Sequence, residues 1–135
     1  RASVWSAASE PGIAGSGMNV NRHWLDAISD NIANMNTATP TSGPAFQARY
    51  IVAQAGPGTS GVFVAGAALG DATGIVVNDP TNPLADAQGN VRMPNIDLGS
   101  QMGQLIMAQR AYEADANVVT QAKTSYEAAL QIGKQ

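Results

Sequence analysis

Between Met18 and Met35 the apolar positions of the chain fall at helical intervals. Leu25, Ile28, Ile32 and Met35 follow one another by steps of three, four and three, which is the a/d spacing of a coiled-coil seam. Met18 lies one heptad before Leu25, and Asn21 takes the d-like place between them, a polar interruption of the kind that fixes register at some cost in stability. The pattern predicts a helix over 18–36. Its end is set by Asn31, Asn34 and Asn36, because asparagine tolerates the left-handed conformation of a C-terminal cap, and by Pro40 and Pro44 soon after. Upstream, residues 1–17 are small and weakly patterned, and Pro11 with Gly12 interrupts any earlier helix. Weak order is expected there.

From 37 to 96 the pattern changes to glycine, proline and short β-branched runs. "AFQARYIVAQ", "GVFVAGAALG" and "GIVV" read as strands separated by the turn signals "GPGTSG" and "GDATG". The stretch "NDPTNPLADAQGNVRMPN" holds Pro80, Pro83, Pro94 and Gly89, which forbid a long regular element, so it is expected to be a connector.

The last segment, 97–135, opens on Asp97 as N-cap and contains no proline. Leu98, Met102, Leu105, Tyr112, Val119, Tyr126 and Leu130 recur at three, four or seven residues, with Ala108, Ala116 and Ala122 between them. Such a helix is roughly 50 Å long, whereas a compact globule of this chain length is only about 37 Å across. It must protrude, pair with the N-terminal helix, or be covered by other chains. The expected fold is therefore mainly α with a small β insert, its two terminal helices pairing as an antiparallel-type coiled coil.

Composition sharpens this choice. Charged residues make up only 13% of the 135 residues, about half the usual share. The faces of both helices away from the seam carry mostly Asn, Gln, Ser, Thr and Ala instead of paired Glu and Lys. Uncharged and small side chains permit close approach by neighbours without desolvating ions. Tight packing on several sides within an assembly is expected.

The net charge of -3 gives no basic field for nucleic acid or an anionic membrane surface. With no cysteine there are no disulfides, thiolate metal sites or cysteine nucleophiles. No apolar run approaches the ~18 residues of a membrane span, and no cleavable signal peptide is seen. Export would need a route without one.

Candidate chemistry is sparse. His23 is the single histidine, with Asp26 and Asp30 near its face, but no serine in an elbow-type glycine turn accompanies it. Asp79, Asp86 and Asp97 lack metal-loop spacing. "GIAGSGMN" has neither the strand before it nor the Gly-Lys-Ser/Thr after it that a phosphate loop requires, so its glycines read as places of close helix approach. Tyr112 and Tyr126 are seam residues rather than a base-stacking platform. No enzyme, cofactor or metal is expected.

Three patches carry a resemblance. The first, "SGMNVNRHWLDAISDNIANMNT", ends in Asn31, Ile32, Ala33, Asn34, Asn36 and Thr37. The second, "DPTNPLADAQGNVRMPNID", holds Asp79-Pro80, Pro83, Ala85-Asp86, Gly89 and Pro94-Asn95. The third, "AQRAYEADANVVTQAKTSYEAALQIGK", holds Arg110, Tyr112, Ala116, Asn117, Lys123, Leu130 and Ile132-Gly133-Lys134. Together they resemble the flagellar axial proteins of rod and hook, and the middle patch is similar to members of the proximal rod. The chain departs from that pattern at Gln47 and Ala48, where further basic residues would be expected, and at Asn90, where an aromatic often follows the glycine.

The resemblance implies a structural subunit of the basal-body rod, in which terminal helices stack in a tubular helical assembly around an export channel and the β insert lies outside. It implies copies of the chain, other rod proteins, the membrane ring complex and the flagellar type III export apparatus as partners. Nucleic acid and direct membrane insertion are not among them. It also implies a place in the periplasmic rod, reached without a cleaved signal peptide, and transmission of torque. The expected assembly residues are Met18, Leu25, Ile28, Asn31, Ile32, Asn34, Met35 and Asn36 on the first helix. On the second they are Leu98, Met102, Leu105, Tyr112, Val119, Tyr126 and Leu130. Two other readings share parts of the pattern: a cytosolic coiled-coil adaptor or secretion chaperone, and a small hydrolase using His23.

Overall fold

The computed structural model describes the backbone of residues 2–134 and the side chains of residues 12–134. Helix α1 (Ala2–Ala33) is followed by strands β1 (Arg49–Ala55), β2 (Val62–Leu69), β3 (Ile75–Asn78) and β4 (Asn90–Met93), and then by helix α2 (Leu98–Gly133). Two long helices in contact, with two small sheets between them in sequence, make up the architecture.

Helix α1 begins at Ala2, well before Met18, and carries Pro11 and three glycines within it. The expected interruption at Pro11-Gly12 does not end the helix. Each glycine costs about 1 kcal/mol of helix propensity, but Ala14 and Val20 are buried and the Ser16 hydroxyl is bonded to β2. Tertiary contact outweighs local preference there.

At its other end α1 stops at Ala33, close to the expected place but by a different device. Among the described residues no non-glycine has positive φ, so the asparagines do not form a left-handed cap. Instead Asn34 donates from both its backbone and its side-chain nitrogen to the Asp30 carbonyl, at 3.0 and 2.9 Å. The Thr37 N–H then donates to the Asn34 carbonyl at 3.0 Å, closing a turn. Helix α2 starts as expected, with the Asp97 carboxylate accepting from the Ser100 N–H at 2.9 Å.

The helices run antiparallel, since Asn21 bonds Asp115 while Asn31, further along α1, bonds Gln101, nearer the start of α2. Buried or half-buried positions on α2 recur as Gln101, Leu105, Ala108, Tyr112, Asp115, Val119 and Ala122. On α1 they recur as Ala14, Gly17, Asn21, Trp24, Ile28 and Asn31. Both sets keep the three-four rhythm of a helix pair. The α1 set is rotated from the expected stripe toward glycine and asparagine. Among the described residues alanine supplies five of the eight buried apolar ones, which lets the elements approach closely.

Strands β1 and β2 pair antiparallel, Arg49 opposite Leu69 and Ala55 opposite Val62, with a bulge between Val52 and Ala53. Strands β3 and β4 pair antiparallel from Ile75 opposite Met93 to Asn78 opposite Asn90. Strand β4 lies inside the stretch expected to be a connector. Four residues between prolines are too few to show a pattern, and the strand exists because β3 flanks it on one side and Thr39 on the other. Thr39 and Arg92 exchange both backbone hydrogen bonds, each at 2.8 Å.

Candidate assembly interface

One buried polar joint organises the molecule. Asn31 is 1% exposed and Gln101 3%, and burying such amides is costly unless their polar atoms are paired. The Asn31 side-chain oxygen accepts the Arg49 N–H at 2.8 Å, and its nitrogen donates to the Arg49 carbonyl at 3.0 Å. That nitrogen also donates to Gln101 Oε1 at 3.2 Å. One asparagine thus joins α1, β1 and α2. The Asp30–Arg49 ion pair beside it, at 3.0 Å, has both side chains about half exposed.

A second cross-link lies further along the pair, where Asn21 Nδ2 donates to Asp115 Oδ2 at 3.0 Å. Beside it a cavity of about 570 Å³ opens between α1, the hairpin and α2, lined by Ile13, Ala14, Val20, Ala53, Val62 and Val118, with Asn21 and Asp115 at its polar edge.

The expected assembly residues fall into three groups. Ile28 and Asn31 are buried and are spent within the chain. Met18, Leu25, Ile32, Asn34, Met35, Leu105, Tyr112 and Val119 are half-buried, so each retains an outward edge. Asn36, Leu98, Met102, Tyr126 and Leu130 are exposed.

Sequence periodicity overlooked Ile106 and Met107, which are 49% and 60% exposed. Leu98, Met102 and Ile106 recur at steps of four and form one apolar ridge along α2. The expected assembly residues include Leu98 and Met102 of this ridge but not Ile106, because the rhythm leads instead into Leu105, on the stripe that faces α1. Further apolar surface lies on the sheets, where Tyr50, Val52 and Phe63 of the first and Ile75, Val76 and Val77 of the second are exposed. Scattered apolar exposure is ordinary, but three apolar side chains on successive turns of one helix mark a surface made to be covered.

The loop between β3 and β4 is built around a carboxylate. Asp86 accepts the Asn90 N–H at 2.9 Å, the Thr41 hydroxyl at 2.8 Å and the Gln88 N–H at 2.9 Å. The Asn90 N–H first, and then the Thr41 hydroxyl, hold its pKa below the usual carboxylate range. The Arg92 guanidinium ties the same region together, donating to the carbonyls of Thr41 and Thr73. His23 and Asp26 are exposed on α1, and Asp30 is engaged by Arg49. Among the described residues no cluster of three metal-ligating side chains exists, and no helix is long and apolar enough to cross a membrane.

Comparison with known proteins follows the same division of the chain. Residues 13–41 match the family model described as "Flagella basal body rod protein". Residues 87–132 match the one described as "Flagellar basal body rod FlgEFG protein C-terminal". The chain is 36% identical to the flagellar basal-body rod protein FlgC of Escherichia coli O6:H1, an alignment covering 90% of this chain and 94% of that protein. It is 33% identical to the FlgC of Borreliella burgdorferi, over 89% and 93% of the two chains. With the FlgC of Bacillus subtilis it shares 29% identity over 90% and 95%.

Proposed function

The chain belongs to the FlgC family of flagellar basal-body rod proteins, and from that premise we propose that it builds a tubular helical assembly around the export channel and transmits torque. It is a structural, non-enzymatic subunit of the basal-body rod and assembles with other rod subunits. In the proposed arrangement α1 and α2 form a helical core domain, with residues 37–96 as an insert on its outer side. The finer partners are copies of the chain, the other proteins of the proximal rod, the membrane ring complex, and the type III apparatus that exports it across the inner membrane without a cleaved signal peptide. Its place is the periplasmic length of the rod.

The observation that carries this reading is the ridge of Leu98, Met102 and Ile106, exposed on a helix whose inner stripe already faces α1. Covering each of these half-exposed side chains by a neighbour contributes about 1 kcal/mol. Repeated at every subunit contact, that is the scale on which an assembly is held. Leu25, Ile32, Leu105, Tyr112 and Val119 add their outward edges, and Tyr126 and Leu130 extend the contact toward the end of α2. The low charge of both helices removes the desolvation cost of ions at such contacts.

The test places charge on the ridge. The double variant Met102→Glu, Ile106→Glu retains the helicity of the parent chain by circular dichroism, because neither side chain is buried within the subunit. Cells carrying it export the protein but complete no rod and do not swim. Swimming at the parental rate would remove the basis for this interface.

A further inference from the structure

The β1–β2 hairpin is fixed to α1 at two separate places. At its base the Asn31 side chain accepts from and donates to the backbone of Arg49, at 2.8 and 3.0 Å. At its tip the Ser16 hydroxyl accepts the Val62 N–H at 3.0 Å and donates to the Ile13 carbonyl at 2.6 Å. That hydroxyl is committed in both directions. A Cβ on Gly61 would fall onto it, and Gly61 has a φ of 84°, so the tip lies directly against the helix.

The two fixings match in spacing. Ser16 and Asn31 lie about 22 Å apart along the helix at 1.5 Å per residue. Arg49 and Ala55, the two ends of β1, lie about 20 Å apart at 3.4 Å per step. Between the fixings Ile51, Val62 and Val64 are half-buried, while Tyr50, Val52 and Phe63 of the opposite face are exposed. The hairpin therefore lies along α1 as a strip, polar-bonded at each end and apolar between.

We propose that this hairpin is a splint, with Asn31 and Ser16 as its positioning residues, holding the insert at one fixed angle to the helix pair. A single fixing is a pivot about which a two-stranded ribbon can swing. Two fixings about 22 Å apart remove that swing, so a load on the insert reaches the helices as a rigid-body load. Asn31 does more than fill space. A leucine there would leave the Arg49 N–H and carbonyl without partners and would free Gln101, whereas asparagine engages all three at once. The link to torque rests on the rod reading. The rigidity itself does not.

The test uses the full chain, which contains no cysteine, so two introduced ones carry spin labels without competition. Thr59→Cys at the hairpin tip and Ala33→Cys at the end of α1 are both exposed positions. In the parent background the dipolar distance distribution between the labels is single and narrow. Ser16→Ala, a small change at the tip, broadens it and adds a second component while helicity by circular dichroism is unchanged. Asn31→Ala frees the base while Ser16 still holds the tip, so this distance stays narrow but the Arg49 amide loses protection from hydrogen exchange by about tenfold. A distribution already broad in the parent, one that stays narrow in Ser16→Ala, or an Arg49 amide as protected in Asn31→Ala as in the parent, overturns the splint. Because these distances are read on the isolated chain, that outcome leaves the rod reading to be judged separately by the Met102→Glu, Ile106→Glu swimming test.

Discussion

Gly17 of α1 and Asp115 of α2 approach so closely that a Cβ on the glycine would lie 2.5 Å from Asp115 Oδ2, the oxygen that accepts from Asn21. Substitution here sets two effects against each other. Gly17→Ala gains up to about 1 kcal/mol of helix propensity but pushes the carboxylate off the Asn21 amide, a half-exposed bond worth about 1 kcal/mol. The net change is close to zero. Gly17→Val adds bulk that this shift cannot absorb and destabilises by about 2 kcal/mol. Thermal melting of the two variants checks the contrast.

That contact also shows what the sequence made legible and what it hid. Asp97 announced the start of α2, the heptad rhythm announced both helices, and the β-branched runs announced β1, β2 and β3. The face on which the helices meet was legible in part, since Asn21 takes a d-like place and the glycines before it read as places of close approach, but Gln101 gave no sign of lying on it. Counting hydrophobic residues points away from such positions. The same reasoning names Met102 as an assembly residue but passes over Ile106, which is exposed one turn further along the helix. Of the candidate interface, the helices were therefore legible in the sequence, but which of their faces stays open was not. Strand β4 is four residues long, and its pairing with β3 and Thr39 leaves no local signal.

Gly74 is held by its surroundings and by its backbone together. Its φ is 60°, and a Cβ there would fall onto the Met93 carbonyl oxygen and against the Ala45 Cβ. The left-handed conformation costs a non-glycine residue about 1–2 kcal/mol, and a backbone carbonyl cannot step aside as a flexible side chain can. Gly74→Ala is expected to destabilise the β3–β4 ribbon by about 3 kcal/mol. The amides of Ile75 and Val77 lose exchange protection while those of the helices keep it, because the ribbon and the helix pair do not share this contact.

Arg49 separates the value of its backbone from that of its side chain. Its guanidinium meets Asp30 at 3.0 Å with both groups about half in solvent, and exposed pairs of this kind contribute roughly 0.5 kcal/mol. The bonds to Asn31 use only the Arg49 N–H and carbonyl. Arg49→Ala is therefore expected to move the urea midpoint very little, and raising the salt concentration to narrow even that difference. Asn31→Ala, which leaves the part-buried N–H and carbonyl of Arg49 and the buried Gln101 without this partner, lowers stability by about 2–3 kcal/mol. Equal losses from the two variants would mean that the ion pair, and not the amide, holds the hairpin base.

Acid should loosen the β3–β4 loop before it disturbs the helices. The folded pKa of Asp86 is depressed by the Asn90 N–H and then by the Thr41 hydroxyl, so its bonds stabilise the fold above the ordinary carboxylate range. That contribution is lost as pH falls through the depressed folded value. Asp71 follows the same sign, held down first by the Thr73 N–H. Carboxyl resonances followed by NMR through acid titration should give Asp86 a midpoint below that of an unstructured aspartate. Thr41→Ala should raise the midpoint only part of the way, since the N–H donors of Asn90 and Gln88 remain. A midpoint unmoved by that variant would assign the whole depression to the backbone donors, and Thr41 would then be no part of what holds the loop against the segment leading from α1.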